Sequence, residues 1–389
     1  MRTASILHFL AAHFRVHLVC FTAGEAVAGG DPWPADTVDD RDWVSLPVHR
    51  KSWAARALRN SARWLRGVAP LSDRFCGSGS REQVARAISG RQYELAVVEH
   101  FWCASYLEML RRAARRVVLD MHNIESALHA QCARLDGWPA RWVHGRFAGI
   151  SIQAERKWLP QFDLVLAASE IDRLRLLDLA PGARVAVYPN AIPLRFPAEG
   201  EEEHSIAFSG NLEYHPNVAA VRWFAREIWP ELRRRDPLLR WLLIGKNDKA
   251  VRGCLAGDPR IETTGAIENS PQALARASVV VVPLLTGSGT RIKILEAWAA
   301  GRAVVSTRIG AEGLPALDGE NLLLADSPPQ FVEAVLALLA NVDLRRRLGR
   351  AGRAVVEQQL CWPVVWRGLE ENLRTLLPAF LAARNAIPN

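Results

Sequence analysis

The sequence lacks the marks of several large classes of protein. Its six cysteines (Cys20, Cys76, Cys103, Cys132, Cys254 and Cys361) are scattered and form no C-x-x-C pair. That argues against a zinc site or a disulfide framework, and they read as reduced, buried thiols of a cytosolic protein. No uninterrupted apolar run reaches the roughly 20 residues a helix needs to cross a bilayer. There is no internal repeat, no low-complexity segment and no nucleophilic triad. The positive charge has no aromatic platform or reading motif beside it, which argues against nucleic acid as a partner. Ala26-Val27-Ala28 has the small residues of a signal-peptide cleavage site, but His8 and His13 interrupt the apolar region before it. A cleaved leader is therefore not expected.

What is present is a chain of 389 residues, 49% of them hydrophobic, which suits two globular domains of ordinary size. The net charge of +8 is unevenly placed: between Arg41 and Lys157, twenty Lys and Arg stand against ten Asp and Glu. From Arg50 to Arg66 a helical wheel gathers Trp53, Ala57, Leu58, Trp64 and Leu65 on one side, with Arg56, Arg59, Arg63 and Arg66 on the other. Two readings stand. Either the basic face lies against an anionic membrane or partner, or a surface helix packs its Trp face into its own domain.

Short apolar runs alternate with helical stretches, the pattern of α/β domains built on parallel sheets. Strands are expected over 16–21, 94–98, 117–120, 163–168 and 184–188, then over 205–209, 240–244, 260–263, 278–283, 303–307 and 321–325. Helices are expected over 4–14, 217–235, 271–277, 291–300, 329–339 and 363–384. Between the halves, Pro189, Pro193, Pro197 and the run Glu199-Gly200-Glu201-Glu202-Glu203 form a polar linker that no core would absorb. Doubly wound domains usually open with a strand and a Gly-rich turn. This chain opens on a helix, so its first domain is expected to lack the first strand.

The most informative stretch follows the apolar run 278–282. Gly287 and Gly289 let the backbone turn tightly and approach a ligand, and Thr290 is placed to cap a helix beginning near Arg291. Arg291 and Lys293 then fall in the first turn, where they oppose the helix dipole. An anion resting there would reverse that cost, and a phosphate or diphosphate is suited to it. Glu296, one turn on, can accept hydrogen bonds from the vicinal hydroxyls of a ribose. By spacing alone, an exposed Lys–Glu pair on an ordinary surface helix fits at least as well.

The run from Thr290 to Gly301, with Ala303-Val304-Val305-Ser306-Thr307 and Gly310-Ala311-Glu312-Gly313-Leu314, resembles the donor-site signature of the family-four retaining glycosyltransferases. The branch it is similar to reads G-x-G-T-R-x-K-x-L-E-A-x-A-x-G. The resemblance implies an α/β chain of GT-B fold, two Rossmann-like doubly wound domains facing a cleft. Residues 1–189 would form the acceptor-side domain, 190–204 a linker, 205–362 the nucleotide-sugar-binding domain, and 363–389 a helix crossing back to the first domain. Most of the family carries two glutamates with seven residues between them. Glu296 matches the second, and Ser288 stands where the first, which contacts the donor sugar, is expected.

Other positions complete the candidate site. His122, in Asp120-Met121-His122-Asn123-Ile124-Glu125, ends a buried strand, where α/β sheets bind ligands. By itself it is either a satisfied structural histidine or a sugar ligand or general base. The family places His or His-Asn at the matching strand end against donor sugar or acceptor, which implies that role for His122. Glu125 is a second candidate or a cap of the next helix. Gly210 and Asn211 follow the strand ending at Ser209, where a turn can bring backbone amides near a phosphate. The family often has a basic residue there, and none occurs between Gly210 and Val221. Lys246 offers extra positive charge or is simply a solvated turn lysine. By resemblance, the backbone at Ile267 meets the nucleotide base. Pro189-Asn190-Ala191-Ile192 resembles the interdomain P-N-G turn, with Ala191 for glycine, and reads as a hinge. Asp40-Arg41-Asp42 has metal-binding D-x-D spacing but follows no strand-length apolar run, so it reads as a loop. Gly287-Ser288-Gly289 lacks the third glycine of a dinucleotide fingerprint.

The resemblance thus implies a metal-independent enzyme, with no cofactor, that moves a sugar from a UDP or GDP donor to a hydroxyl of a glycan or glycolipid acceptor. Arg291 and Lys293 would stabilise the leaving diphosphate, and Gly287, Ser288, Gly289, Thr290 and Glu296 would bind the donor. Cell-surface polysaccharide or glycolipid synthesis is the expected setting, in the cytoplasm and at the inner face of the membrane through the basic first domain. A GT-B UDP-sugar epimerase and a catalytically degenerate scaffold subunit of a polysaccharide assembly system are the alternatives.

Overall fold

The computed structural model describes residues 2–23, 38–48, 52–135, 137–194, 202–255, 257–267, 270–286 and 291–377. The chain divides into two units, one of Met1–Pro189 with Trp366–Asn389, the other of Asn190–Val365.

The first unit opens with helix α1 (Arg2–Ala11), followed by β1 (His17–Ala23) and β2 (Asp40–Leu46), which form a parallel two-stranded ladder. After α2 (Trp53–Arg66) come β3 (Tyr93–Glu99), β4 (Ala114–Asp120), helices α3 (Glu125–Leu135) and α4 (Ala140–Trp158), then β5 (Leu164–Ala167) and β6 (Val185–Val187). β3 to β6 form a four-stranded parallel sheet in sequence order. β4 and β5 bury Val117, Leu119, Val165 and Ala167 in the core.

One expectation fails here. Asp40-Arg41-Asp42 is the start of β2, not a loop. Only Val44 and Leu46 of that strand are buried, so alternation is confined to its second half. Its acidic residues are held by ion pairs instead, Asp42 with His17 at 2.9 Å and Asp40 with Arg91. Of the two readings left open for α2, the packing of its Trp face into the domain is not met. Arg63 is the buried residue, its guanidinium 2.8 Å from Asp73, while Ala57, Leu58, Trp64 and Leu65 are exposed. The apolar side does not pack into the domain, because the Arg63–Asp73 pair turns the other side inward. The side chains of Trp53 and Arg56 lie outside the described residues.

Nor does Glu125 cap α3. It is the first helical residue and accepts from Trp102 Nε1 at 3.1 Å, whereas Glu155 of α4 accepts from the Ser126 amide at 3.1 Å. Burial pushes Glu155 up to about 7. Burial, with the charge of Glu155 added, does the same to Glu125. Both folded values exceed the ordinary 4.5, so the folded state holds protons that the unfolded chain releases. Stability contributed by these groups is therefore lost as pH rises from about 4.5 through about 7. Glu155→Gln keeps the acceptor for Ser126 and removes the charge. It is expected to raise the thermal midpoint near pH 8, by an equivalent of about 1–3 kcal/mol, and to change it little near pH 5. Equal midpoints of variant and parent near pH 8 would contradict this account.

The second unit holds a six-stranded parallel sheet in the order β12-β11-β10-β7-β8-β9. The strands are β7 (Glu203–Ser209), β8 (Arg240–Ile244), β9 (Ile261–Gly265), β10 (Ala277–Val282), β11 (Ala303–Ser306) and β12 (Leu323–Leu324). Every residue of β10 is buried, so its run of valines shows no alternation. Ala277 begins this strand, and the preceding helix ends earlier than expected, at Leu274. Its helices include α5 (His215–Trp223), α6 (Ile292–Ala299), α7 (Pro328–Ala340) and α8 (Val342–Gln359). α8 presses against α6 through a small residue: a Cβ on Gly352 would lie 2.1 Å from the Trp298 ring. The acidic end of the expected linker is part of this unit, since Glu202 pairs with Arg302 and Arg345, and Glu203 with Arg276 and Arg240. The last helix among the described residues is α9 (Trp362–Leu376), which belongs to the first unit from Trp366 onward and bonds Ser5 through the Trp366 indole at 3.1 Å.

Candidate functional site

In the second unit the site is built where β7, β8 and β10 end and α6 begins. β7 runs into Gly210, whose φ of 143° is open to glycine. Its amide bonds the Ile244 carbonyl at 2.8 Å, tying the end of β7 to that of β8. Gly245, at φ 147°, packs so closely that a Cβ there would lie 1.9 Å from the Gly210 carbonyl oxygen. A Cβ on Gly210 would in turn lie 2.1 Å from Lys293 Nζ and 2.9 Å from Asn217 Nδ2. The Lys293 ammonium therefore rests directly on the Gly210 backbone, with the Phe208 ring centroid 5.1 Å away.

Burial pushes Lys293 down to about 8, with Arg291 adding to the shift and Glu296 opposing it. Glu296 is raised by burial against the pull of Lys293 and Ser270, the Ser270 hydroxyl donating to its Oε2 at 3.2 Å. The buried hydroxyl of Thr286, just past β10, has no hydrogen-bond partner among the described residues. A concave turn of backbone, a cation crowded into it and an unanswered hydroxyl suit an anionic ligand with several acceptor oxygens.

Arg291 is placed differently from the sequence expectation. It is the N-cap of α6, ahead of the first turn, and it is buried. Its Nε donates to the Ile309 carbonyl at 3.1 Å, and its guanidinium lies 3.7 Å from Glu312. Thr290, expected as the cap, lies outside the described residues, as do Gly287, Ser288 and Gly289. Asn211 is exposed. Its carbonyl takes Asn217 Nδ2 at 2.8 Å, and its side-chain oxygen takes Asn247 Nδ2 at 2.9 Å. Lys246 is exposed, with its carbonyl bonded by the Leu212 amide. Ile267 is exposed after β9. The sequence reading missed Asn217, Gly245 and Glu312. Gly245 was detectable as a glycine ending a strand beside Lys246, whereas the other two act through tertiary contacts.

In the first unit His122 follows β4, and β3 ends alongside with Glu99 in register with Asp120. His122 Nε2 lies 2.7 Å from Glu99 Oε2 and 3.5 Å from Asp120 Oδ2. Thr3 Oγ1 donates to Glu99 at 3.0 Å, and Arg2 forks onto Asp120. Burial would lower His122, but its bonds to Asp120 and Glu99 outweigh it, and its pKa is raised. His100, against the His122 ring at 3.8 Å and stacked on Trp102, is pushed down to about 4 by burial and by His122. The carboxylates thus favour the charged form of His122, while burial favours the neutral form of His100. Glu99, His100 and His122 bring potential ligand atoms within 4.8 Å of one another, the one such group among the described residues. Sequence reasoning found His122 and missed Glu99, His100 and Arg2. The polar pair Glu99-His100 at a strand end was the available signal.

Residues 203–341 match the family model of glycosyl transferases group 1. An uncharacterized protein from the cps region of Klebsiella pneumoniae is 21% identical over 279 residues, 68% of this chain and 70% of that one. Among solved structures, sucrose-phosphate synthase from Thermosynechococcus elongatus superposes with a TM-score of 0.73 at 16% identity, covering 97% of this chain and 93% of that one. HepE from Anabaena, solved with UDP and glucose, gives 0.62 at 12% identity over 96% of each. The expected α/β architecture of GT-B type is borne out. The family match and this fold together support a glycosyltransferase.

Proposed function

We propose that the chain is a retaining glycosyltransferase that moves a sugar from a UDP or GDP donor to an acceptor hydroxyl without a metal ion. The observation that carries this is the Lys293 ammonium seated on Gly210, with Glu296 one turn further along α6. As the glycosidic bond breaks, negative charge grows on the leaving phosphate. Lys293 meets that charge at little reorganisation cost, because the fold already holds it in a partly desolvated place. Arg291, anchored by Ile309 and Glu312, adds positive charge behind it. The Gly210 turn and Asn211 present backbone to the phosphates, Ile267 lies toward the base, Lys246 adds charge at the rim, and Glu296 takes the ribose hydroxyls. The sequence run Gly287, Ser288, Gly289 and Thr290 is assigned to the donor by resemblance to the family signature. His122, oriented by Glu99 and Asp120, meets a sugar hydroxyl as a hydrogen-bonding ligand. The relative from a cps region supports polysaccharide or glycolipid synthesis as the setting.

Calorimetry with UDP and GDP, and release of either from its sugar conjugates in the presence of acceptor glycans, test the reading. Glu296→Ala is expected to weaken nucleotide binding about tenfold or more, since a carboxylate hydrogen-bonded to two hydroxyls contributes a few kcal/mol. Unchanged affinity would remove Glu296 from the ribose. A product of inverted anomeric configuration would exclude retention, and a rate abolished by a chelator would exclude metal-free transfer. Sugar-nucleotide turnover without any acceptor would favour an epimerase, and tight nucleotide binding without turnover a scaffold subunit.

A further inference from the structure

The apolar side of α2 is continuous with a second exposed patch at the start of α4. Leu58 and Leu65, two turns apart on α2, are 74% and 77% exposed, and Trp64 beside them is also exposed. Arg146 of α4 lies over the Trp64 ring at 5.9 Å, and Ala69, just past α2, packs with Phe147 and Ile150 of α4. One turn before Arg146 stands Trp142, 74% exposed, and Trp138, 82% exposed, lies two residues ahead of the helix. Two tryptophans, two leucines and a half-exposed third tryptophan therefore gather on one surface, more large apolar area than scattered surface residues explain.

The charged residues of the two segments that form this surface are all basic. Arg66, Arg141 and Arg146 are exposed. Residues 52–72 and 137–154 contain no Asp or Glu. A second copy docking symmetrically on this face would set these arginines against their own images, which opposes self-association. An anionic bilayer answers both features at once. Trp and Leu enter the headgroup boundary, where indole rings partition well, and the arginines meet lipid phosphates.

We propose that this face, formed by Leu58, Trp64 and Leu65 of α2 with Trp138 and Trp142 at the start of α4, docks the first unit onto an anionic phospholipid surface. This stands independently of the glycosyl-transfer reading, and the two can fail separately. The full chain is expected to co-sediment with vesicles of phosphatidylcholine mixed with phosphatidylglycerol, and far less with phosphatidylcholine alone. Added salt should weaken the binding. The pair Leu65→Ser and Trp142→Ser should lower partitioning about tenfold or more, as should the pair Arg66→Glu and Arg141→Glu. Because all four positions are exposed, thermal midpoints and UDP affinity should stay as in the parent chain, and a variant that keeps both but loses vesicle binding supports the proposal. Absence of binding to anionic vesicles, equal binding to neutral ones, or undiminished binding by both pairs would overturn it. So would a dimer on gel filtration that Leu65→Ser with Trp142→Ser dissolves.

Discussion

Lys293→Met is expected to lower kcat about 100-fold or more while leaving the fold as stable as before, or more stable. The first half follows from the charge that develops on a leaving diphosphate, since removing one preorganised donor to such a charge commonly costs roughly 3–4 kcal/mol of transition-state stabilisation. The second half follows from where the ammonium sits. Burial and Arg291 hold its pKa down at about 8, so the folded chain bears an electrostatic cost for keeping it charged at neutral pH. Methionine fills the same volume over Gly210 without that cost. A variant that loses activity and keeps or gains thermal midpoint is what a functional cation predicts, and a structural lysine predicts the reverse. The same pKa gives a second readout. Lys293 is charged below about 8 and neutral above it, so nucleotide affinity should fall as pH rises past that value in the parent and not in Lys293→Met. Arg291→Ala should also depress turnover, but its bonds to Ile309 and Glu312 mean that folding would suffer with it. Near-parental kcat in Lys293→Met would remove the central cation from the proposed chemistry.

How far the residues alone carried this result depended on whether the relevant force was local. Strands buried on both faces, such as Arg240–Ile244 and Ala277–Val282, announce themselves as apolar runs, because burial needs no partner to be named. β2 was missed because only its last four residues alternate, and Asp40 and Asp42 at its start are held by Arg91 and His17. The facing of α2 stayed open for the same reason: a helical wheel counts apolar residues and cannot see that Asp73 will draw Arg63 inward. At the candidate site, Lys293 and Glu296 were legible as neighbours one turn apart. That the ammonium would come to rest on Gly210, more than eighty positions earlier in the chain, was not. His122 was legible as a strand end. Glu99, which fixes it, comes from the adjacent strand, and strand register is a tertiary fact.

Gly245→Ala is expected to be the most damaging small substitution in the second unit, costing about 3 kcal/mol or more. Two causes separate cleanly here. One is backbone: φ of 147° is disfavoured for any side-chain-bearing residue. The other is collision, because the new Cβ would lie 1.9 Å from the Gly210 carbonyl oxygen, a backbone atom that cannot swing aside as a side-chain tip can. Gly319→Ala isolates the first cause. Its φ is 74° and nothing lies within 4 Å of its Cβ position, so it should cost only about 1 kcal/mol. Gly210 is the surface on which Lys293 rests, so displacing its carbonyl should disturb the ammonium as well. Gly245→Ala is therefore expected to weaken nucleotide binding even at temperatures where the protein remains folded, and Gly319→Ala is not. If denaturant midpoints fell equally in the two variants, the close approach of β7 and β8 at Gly210 and Gly245 would not be what shapes the seat of the cation.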